Sequence, residues 1–450
     1  MTAHHRILIV VFPGQGHINP SLQFAKRILS MGVEEVTFCT NMSVVRRIEK
    51  QTTHHGLTFA PISENDPKPN ETLEQFCSDF ATNGAPAVSD IIKSAAASGN
   101  PFDHLVYTTI VPWAAGVAKA HGIKSTLLWC QSATILDLYY YYFNGFGDLI
   151  SCSNKNPSFA ITLPGLPPLN TCDLPTFFLP SRPQEHDFAI PLFKDHIDVL
   201  GENPRVLIST FNELEVEPIR ALKNLELLPV GPLIPSAFLD GQDPSDNSFG
   251  GDLFEKSVED YIKWLNTKPK SSVVYVSFGS MSTLSFDQAE EMANGLLESG
   301  RPFLWVIRDG GETLEVSKIE EMKKQGMIVG WCSQVEVLSH QAIGCFVSHC
   351  GWNSTVEALA AGVPTVAFPQ WTDQGTNAKM IEDVWKTGVR VRKREGHEVV
   401  DGKEIERCVK MVMGNEEMRR NAEKWKDLAR KAVNNGGSST INLQAFLDDA

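Results

Sequence analysis

The chain has 450 residues, 42% apolar and 21% charged, a profile of a soluble globular protein with two or three domains. Its net charge of −14 excludes a general nucleic-acid binder, which needs a basic face. No run approaches the ~20 apolar residues of a membrane helix, and no targeting segment is evident, so a cytoplasmic protein is expected.

The expected elements begin with a strand over Arg6 to Phe12, a continuous apolar run suited to burial on both faces. Pro13-Gly14-Gln15-Gly16 breaks it, and a helix follows over Ser21 to Met31 with Leu22, Ala25, Ile28 and Leu29 on one face. Strands are expected at Val36 to Cys39, Gly56 to Pro61, His104 to Tyr107, Ser125 to Trp129 and Val206 to Thr210. Helices lie between them, for example Thr72 to Phe80 and Val111 to His121. Leu163 to Leu169 is proline-rich and reads as an extended surface crossing. Residues 231–252 are rich in Gly, Pro, Ser and Asp without a period, so they read as a linker or exposed loop.

The second half repeats the alternation. Strands are expected at Ser272 to Phe278, Phe303 to Ile307, Met327 to Gly330, Cys345 to Ser348 and Thr365 to Phe368. Helices follow over Phe286 to Ser299 and from near Gln334, Asn353 and Asp373. Two doubly wound α/β domains would face each other across a cleft lined by the carboxyl ends of their strands.

Nine cysteines are scattered with no CxxC pair. Cys345 and Cys350 flank His349 at a spacing that suits no standard zinc site, so reduced thiols are expected. In that setting the sequons at Asn41, Asn70 and Asn353 carry no meaning.

His17 lies in Gly14-Gln15-Gly16-His17, at the amino end of a helix whose dipole disfavours imidazolium. A neutral imidazole at a cleft suits a general base; a loop histidine without a role is the bland alternative. The glycines make half of a GxGxxG fingerprint, but Asn19 stands where the third would be, so no dinucleotide site is read there.

The densest chemistry lies between Trp331 and Gln374. Ser348 to Ser354 joins a buried strand to a helix, and Asn353 and Ser354 sit where free N–H groups and the positive dipole end would hold a diphosphate. His349 adds a donor; ordinary helix capping is the competing reading. Glu357, at i+4 from Asn353, could accept both hydroxyls of a ribose, and its apolar neighbours argue against a solvated surface acid. Trp331 at a strand end could stack on a base, though a lone tryptophan is more often core. Asp373 and Gln374 could hold sugar hydroxyls, or Asp373 could merely cap a helix.

Taken together, this stretch resembles the signature box of plant secondary-metabolite UDP-glycosyltransferases, and the resemblance extends through GQGHINP (14–20) and VVYVSFGS (273–280) to the whole chain. It implies the GT-B fold, two Rossmann-like doubly wound α/β domains, with inversion at the anomeric carbon. Residues 1–238 would form the acceptor-binding domain, 239–252 a linker, 253–432 the UDP-sugar domain, and 433–450 a helix packing back on the first domain. It implies that Trp331 stacks on uracil beside Cys332, that Gln334 and Glu357 hold the ribose, and that Ser280, His349, Asn353 and Ser354 hold the diphosphate. Trp352, Asp373 and Gln374 would hold the sugar, and the final glutamine resembles glucose-using members. UDP-glucose would then be a co-substrate of a monomer that needs no cofactor and no metal. Gln15, Gln131 and Tyr140 are the candidate acceptor contacts.

One position departs from the family pattern. The resemblance assigns His17 as the base, normally oriented by an aspartate five residues before the tryptophan of a PW pair; Thr108 stands there, before Pro112-Trp113. A hydroxyl can orient an imidazole but cannot balance its charge, so a weaker base suited to readily ionised acceptors is expected. Thr108 with the run Leu127 to Phe146 resembles the branch holding anthocyanin 5-O-glucosyltransferases and enzymes that form glucose esters of carboxylic acids. About half of Tyr139 to Tyr142 should be core, and the rest could line the acceptor pocket. A UDP-sugar epimerase and a catalytically weak UDP-sugar binder are the alternatives.

Overall fold

The computed structural model describes residues 5–51, 54–63, 71–152, 159–252, 260–308 and 318–450. The first sheet contains β1 (Arg6–Val10), β2 (Glu35–Asn41), β3 (Leu57–Ser63), β4 (His104–Thr108), β5 (Lys124–Trp129), β6 (Arg205–Ile208) and β7 (Glu226–Pro229). All its pairings are parallel, in the order β3-β2-β1-β4-β5-β6-β7. The second contains β8 (Val273–Ser277), β9 (Phe303–Val306), β10 (Met327–Val329), β11 (Ile343–Ser348), β12 (Thr365–Ala367) and β13 (Gly388–Arg390). It too is parallel, in the order β10-β9-β8-β11-β12-β13. Helices cover both faces, which is why the strands are continuous apolar runs rather than alternating ones.

The two halves share a core. Trp352 and Trp385 pack with Phe211 and Leu214, and their indole N–H groups donate to the carbonyls of Ser209 (2.7 Å) and Leu214 (3.2 Å). The last helix, Ser438–Asp449, returns to the first sheet. Its Phe446 ring meets Phe24 at 6.2 Å and His104 at 5.1 Å, and Asn442 donates to the Pro229 carbonyl at 2.8 Å.

Several local expectations need correction. The first helix spans Gln15–Ser30 and contains Pro20, so it opens six residues before Ser21. The helix expected to stop at Phe80 runs Leu73–Ala97, opened by a Thr72/Gln75 capping box and continuing through Pro86. β7 and β13 escaped notice because ELLP and GVR are too short to show a period. The Leu163 to Leu169 run lies at the surface only through its exposed Pro164, Gly165 and Pro168: Leu163, Leu166 and Leu169 are buried, and Leu169 bridges Ile161. Part of 231–252 is packed rather than exposed. Asp246 pairs with Lys26 at 2.9 Å with both side chains 12% exposed, and Phe249 is buried. Asn70 and residue 253, the expected start of the second domain, lie outside the described residues.

Candidate active site

Strand order reverses between β1 and β4 in one sheet and between β8 and β11 in the other. Loops leaving the carboxyl ends diverge at such points and open a crevice. Here the two crevices form one cavity of about 320 Å³. Its walls carry Gln15 to His17 after β1, Thr109 and Ile110 after β4, Gly279 to Ser282 after β8, His349 and Gly351 after β11, and Trp371 to Gln374 after β12. Three non-glycine residues in these loops have left-handed backbone: Ile110 (φ 79°), Cys350 (φ 65°) and Thr372 (φ 56°). Strain of this kind persists where the surroundings hold it, and it concentrates at functional sites.

His17 is the third residue of the Gln15–Ser30 helix, half-buried, with its ring edge-on to Phe12 at 5.4 Å. Burial lowers its pKa from 6.5 to about 4, and the helix terminus acts in the same sense. The imidazole is therefore neutral at pH 7. Its Nδ1 is buried without a hydrogen-bond partner. Thr108 is not that partner. Its hydroxyl accepts from the Phe12 N–H at 3.2 Å, and it is fully buried off the cavity wall. The reason is local: the β1–β4 ladder ends at Val10–Tyr107, so the next strand-end amide of β1 on that side needs another acceptor. The sequence reading missed His196. Its Nε2 accepts from the Ile110 N–H at 3.1 Å, holding the strained loop on the cavity wall that His17 also lines. Nothing in the pattern of its helix, Ala189–Glu202, marks it apart from a core position.

Two helix N-termini point into the cavity from opposite sides, Gln15–Ser30 and Trp352–Ala361. Their free N–H groups and aligned dipoles favour an anion between them. His349 stands at this place. Burial, then the charge of Arg308, lowers its pKa to about 4, so it offers a neutral N–H. Its ring is held between two glycines: a Cβ on Gly279 would lie 2.6 Å from Nε2, and one on Gly351 2.5 Å. Ser280 lines the cavity while its carbonyl accepts from Arg308. Asn353 does something the sequence reading did not foresee: its Nδ2 donates to the Gly16 carbonyl at 2.9 Å, across the two domains. In an uninterrupted helix that carbonyl would accept from residue 20, but residue 20 is Pro20 and has no N–H. One amide hydrogen of Asn353 is thus engaged, while its other hydrogen and backbone N–H stay available.

Trp331 and Cys332 line the wall just beyond β10. Gln334 donates to Ser354 Oγ at 2.8 Å and to Glu357 Oε2 at 2.7 Å, so three expected ligands already form one network. Tyr275 belongs to it unforeseen, its hydroxyl donating to Gln334 Oε1 at 3.3 Å and standing 3.5 Å from Cys332 Sγ. Glu357 is buried, which raises its carboxyl to about 7.

Asp373 accepts from Thr372 Oγ1 and from Asn377 Nδ2, each at 2.8 Å, and makes no side-chain cap to its helix. Burial pushes its pKa up, and Gln131 reaches it from the other domain. Gln374 Oε1 accepts from the backbone N–H groups of Gln370 (2.8 Å) and Trp371 (3.1 Å), which aims its amide group. Trp352 is corrected in part. Its indole is spent on Ser209, so what it can offer a sugar is the unpaired backbone N–H of the first helical residue.

The remaining wall is apolar: Phe12, Leu73, Ile110, Phe177, Phe188, Leu192 and Phe193. Among the described lining residues there is no Lys or Arg. Gln131 lines this part with its Oε1 buried and unpaired, and Gln15 lines it with its amide donating to Gly251 O at 2.8 Å. Tyr140 does not line it. It is half-buried beside the Tyr141 ring at 6.3 Å. Tyr139 stacks behind the wall on Phe193 at 3.8 Å, and Tyr141 donates to the Pro164 carbonyl at 2.9 Å. The tyrosine run is therefore a second layer, because its helix presents the cavity no face.

Among the described residues, no helix is long and apolar enough to cross a membrane, and no group of three or more His, Cys, Asp or Glu is placed to hold a metal. The family model described as "UDP-glucoronosyl and UDP-glucosyl transferase" matches residues 247–431. The UDP-glycosyltransferase 75C1 of Solanum lycopersicum is 54% identical over 98% of this chain and 97% of its own. An anthocyanidin 3-O-glucoside 5-O-glucosyltransferase of Verbena hybrida is 48% identical over 98% of both chains. The crystal structure of Os79 from O. sativa in complex with UDP superposes with a TM-score of 0.86 at 32% identity, over 98% of this chain and 99% of that one.

Proposed function

The chain belongs to the family of UDP-glucosyl and related transferases, and from that membership we propose how its cavity transfers glucose from UDP-glucose to a small plant metabolite. The observation that carries the reading is convergence: a neutral histidine, two facing helix N-termini and the Asp373–Gln374 pair share one cavity. The uracil would stack on Trp331, beside Cys332. The ribose would replace Gln334 as partner of Glu357. The diphosphate would take N–H groups at the two helix ends, with His349, Ser280, Asn353 and Ser354. Asp373, Gln374 and the Trp352 backbone would hold the glucose.

The acceptor oxygen attacks the anomeric carbon as His17 takes its proton. The bond from that carbon to the diphosphate breaks on the opposite face, UDP leaves with the electron pair, and configuration inverts. The helix ends and His349 stabilise the charge that develops on the diphosphate. His17 needs no cofactor for this, and none is proposed.

The acceptor we propose is a flat phenol. Aromatic and aliphatic walls support it, with Gln131 Oε1 left to accept a hydroxyl hydrogen. The low basicity of His17 favours acidic hydroxyls, and it equally favours a carboxylic acid giving a glucose ester. A screen with UDP-glucose across aliphatic alcohols, phenols and carboxylic acids, with alkaline lability sorting esters from glycosides, tests this. Phenols should be turned over and simple alcohols should not; alcohols reacting as fast as phenols would sink the reading. Conversion of UDP-glucose without acceptor would point to an epimerase, and binding without turnover to a sugar-nucleotide binder.

A further inference from the structure

We propose that Thr176, in the acceptor-side domain, is a positioning residue for recognition of the donor's sugar. This rests on the reading that Asp373 and Gln374 hold the glucose. Thr176 and Thr372 form a reciprocal pair across the two domains. The Thr176 N–H donates to the Thr372 carbonyl at 2.9 Å, and the Thr372 N–H donates to Thr176 Oγ1 at 2.8 Å. Thr372 is the residue held at φ 56°, and its own hydroxyl donates to Asp373 Oδ1 at 2.8 Å. The path from Thr176 to the sugar-holding carboxylate is thus two hydrogen bonds long.

The contact is built, not incidental. Thr376 donates to the Asp173 carbonyl at 2.6 Å, and Arg390 donates to Asp173 Oδ1 and the Cys172 carbonyl, both at 2.7 Å. Gly375 allows the approach: a Cβ there would lie 2.6 Å from the Cys172 carbonyl oxygen. The same short segment, Thr176–Phe178, places Phe177 on the acceptor wall, edge-on to Trp371 at 6.5 Å. The loop that selects the sugar is therefore shaped by the domain that selects the acceptor. A non-glycine residue in left-handed backbone relaxes when its restraints are removed. Losing the Thr176 hydroxyl should release Thr372 and let Asp373 and Gln374 drift, while the nucleotide contacts, on other loops, stay put.

The experiment compares Thr176→Val and Thr176→Ser with the parent, reading KM for UDP-glucose, Kd for UDP, and the ratio of kcat/KM for UDP-glucose over UDP-galactose, which differ at one hydroxyl. Thr176→Val should raise KM for UDP-glucose by roughly tenfold, the scale of one net hydrogen bond, and narrow the ratio. UDP affinity should stay within about twofold, and Thr176→Ser, which keeps the hydroxyl, should behave as the parent. The proposal falls if Thr176→Val only lowers Tm, or if UDP and UDP-glucose weaken alike. Gln374→Ala, run alongside, separates the two ideas. If it leaves KM for UDP-glucose unchanged, the sugar assignment itself fails. If it raises KM and Thr176→Val does not, only the positioning role fails.

Discussion

Donor affinity should depend on pH through Glu357. Its carboxyl is buried at the base of the cavity and raised to about 7, with Gln334 donating to it at 2.7 Å. About a tenth of such a group is ionised at pH 6 and about nine tenths at pH 8. Two ribose hydroxyls need an acceptor with both oxygens free of protons. If only the carboxylate binds, affinity should rise about tenfold between pH 6 and pH 8, or ~1.4 kcal/mol. UDP-glucose is the right ligand, because its diphosphate is esterified at both ends, whereas a terminal phosphate titrates near pH 6. His17 and His349, lowered to about 4, stay neutral throughout. Asp373, also raised, is the competing source. Titration calorimetry at pH 6, 7 and 8, without acceptor, on the parent and Glu357→Gln decides. The variant should lose the slope. An equal slope in both, or none in the parent, refutes the reasoning. The same shift has a stability sign. The folded pKa lies above the ordinary 4.5, so the cost is absent below that pH, grows through pH 7 and is complete above it, about 3 kcal/mol in all. Donor-induced stabilisation should therefore be larger at pH 8 than at pH 6.

Three further outcomes follow from the geometry. At saturating UDP-glucose the rate should hold from pH 8 to pH 5 and halve near His17's pKa of about 4, where the imidazole becomes protonated. An acid limb at pH 6 to 7 would contradict this, and His17→Ala should cost on the order of 10²–10⁴ in rate. Thr108→Val leaves the Phe12 N–H buried and unpaired, so it should lower stability by ~1–3 kcal/mol without moving the acid limb; a moved limb would restore Thr108 to catalysis. Gly279→Ala adds a Cβ at φ 71° and 2.6 Å from His349 Nε2. Its KM for UDP-glucose should rise by at least roughly tenfold with the circular dichroism spectrum retained; an unchanged KM would show that His349 is not tightly seated.

Much of this was legible in the sequence because the signals were local. Apolar runs marked the buried parallel strands, and the strand-to-helix junctions at Gly14 to His17 and His349 to Asn353 interrupt them where strand order reverses. What stayed hidden depended on distance in space. Thr108 sits at the position of a catalytic partner, but its hydroxyl answers to a strand-end amide 96 residues away. Trp352 carries a sugar contact by motif, yet its indole closes the seam between domains. Tyr140 failed because a run of aromatic residues says nothing about which face meets the cavity. Phe177 was unreadable because it lies in an irregular segment, while Phe188 and Phe193 open a helix whose buried period does not tell a cavity wall from core.

Pro20 shows how two separately read motifs act as one. A proline six residues into a helix normally looks like a local defect, since it removes one backbone hydrogen bond. The bond it removes is the one that would occupy the Gly16 carbonyl. That carbonyl is one residue from His17 and accepts from Asn353, the second residue of the helix at the anion site. The helix that carries His17 and the helix that would bind the diphosphate are thus joined at their N-termini. Each terminus disfavours positive charge nearby and favours negative charge between them. An anion in that gap relieves the repulsion of two like dipole ends, while the Asn353 bond holds them together without it. A diphosphate bound there would couple donor binding to the placement of His17, because it would strengthen the contact that joins the two helix ends.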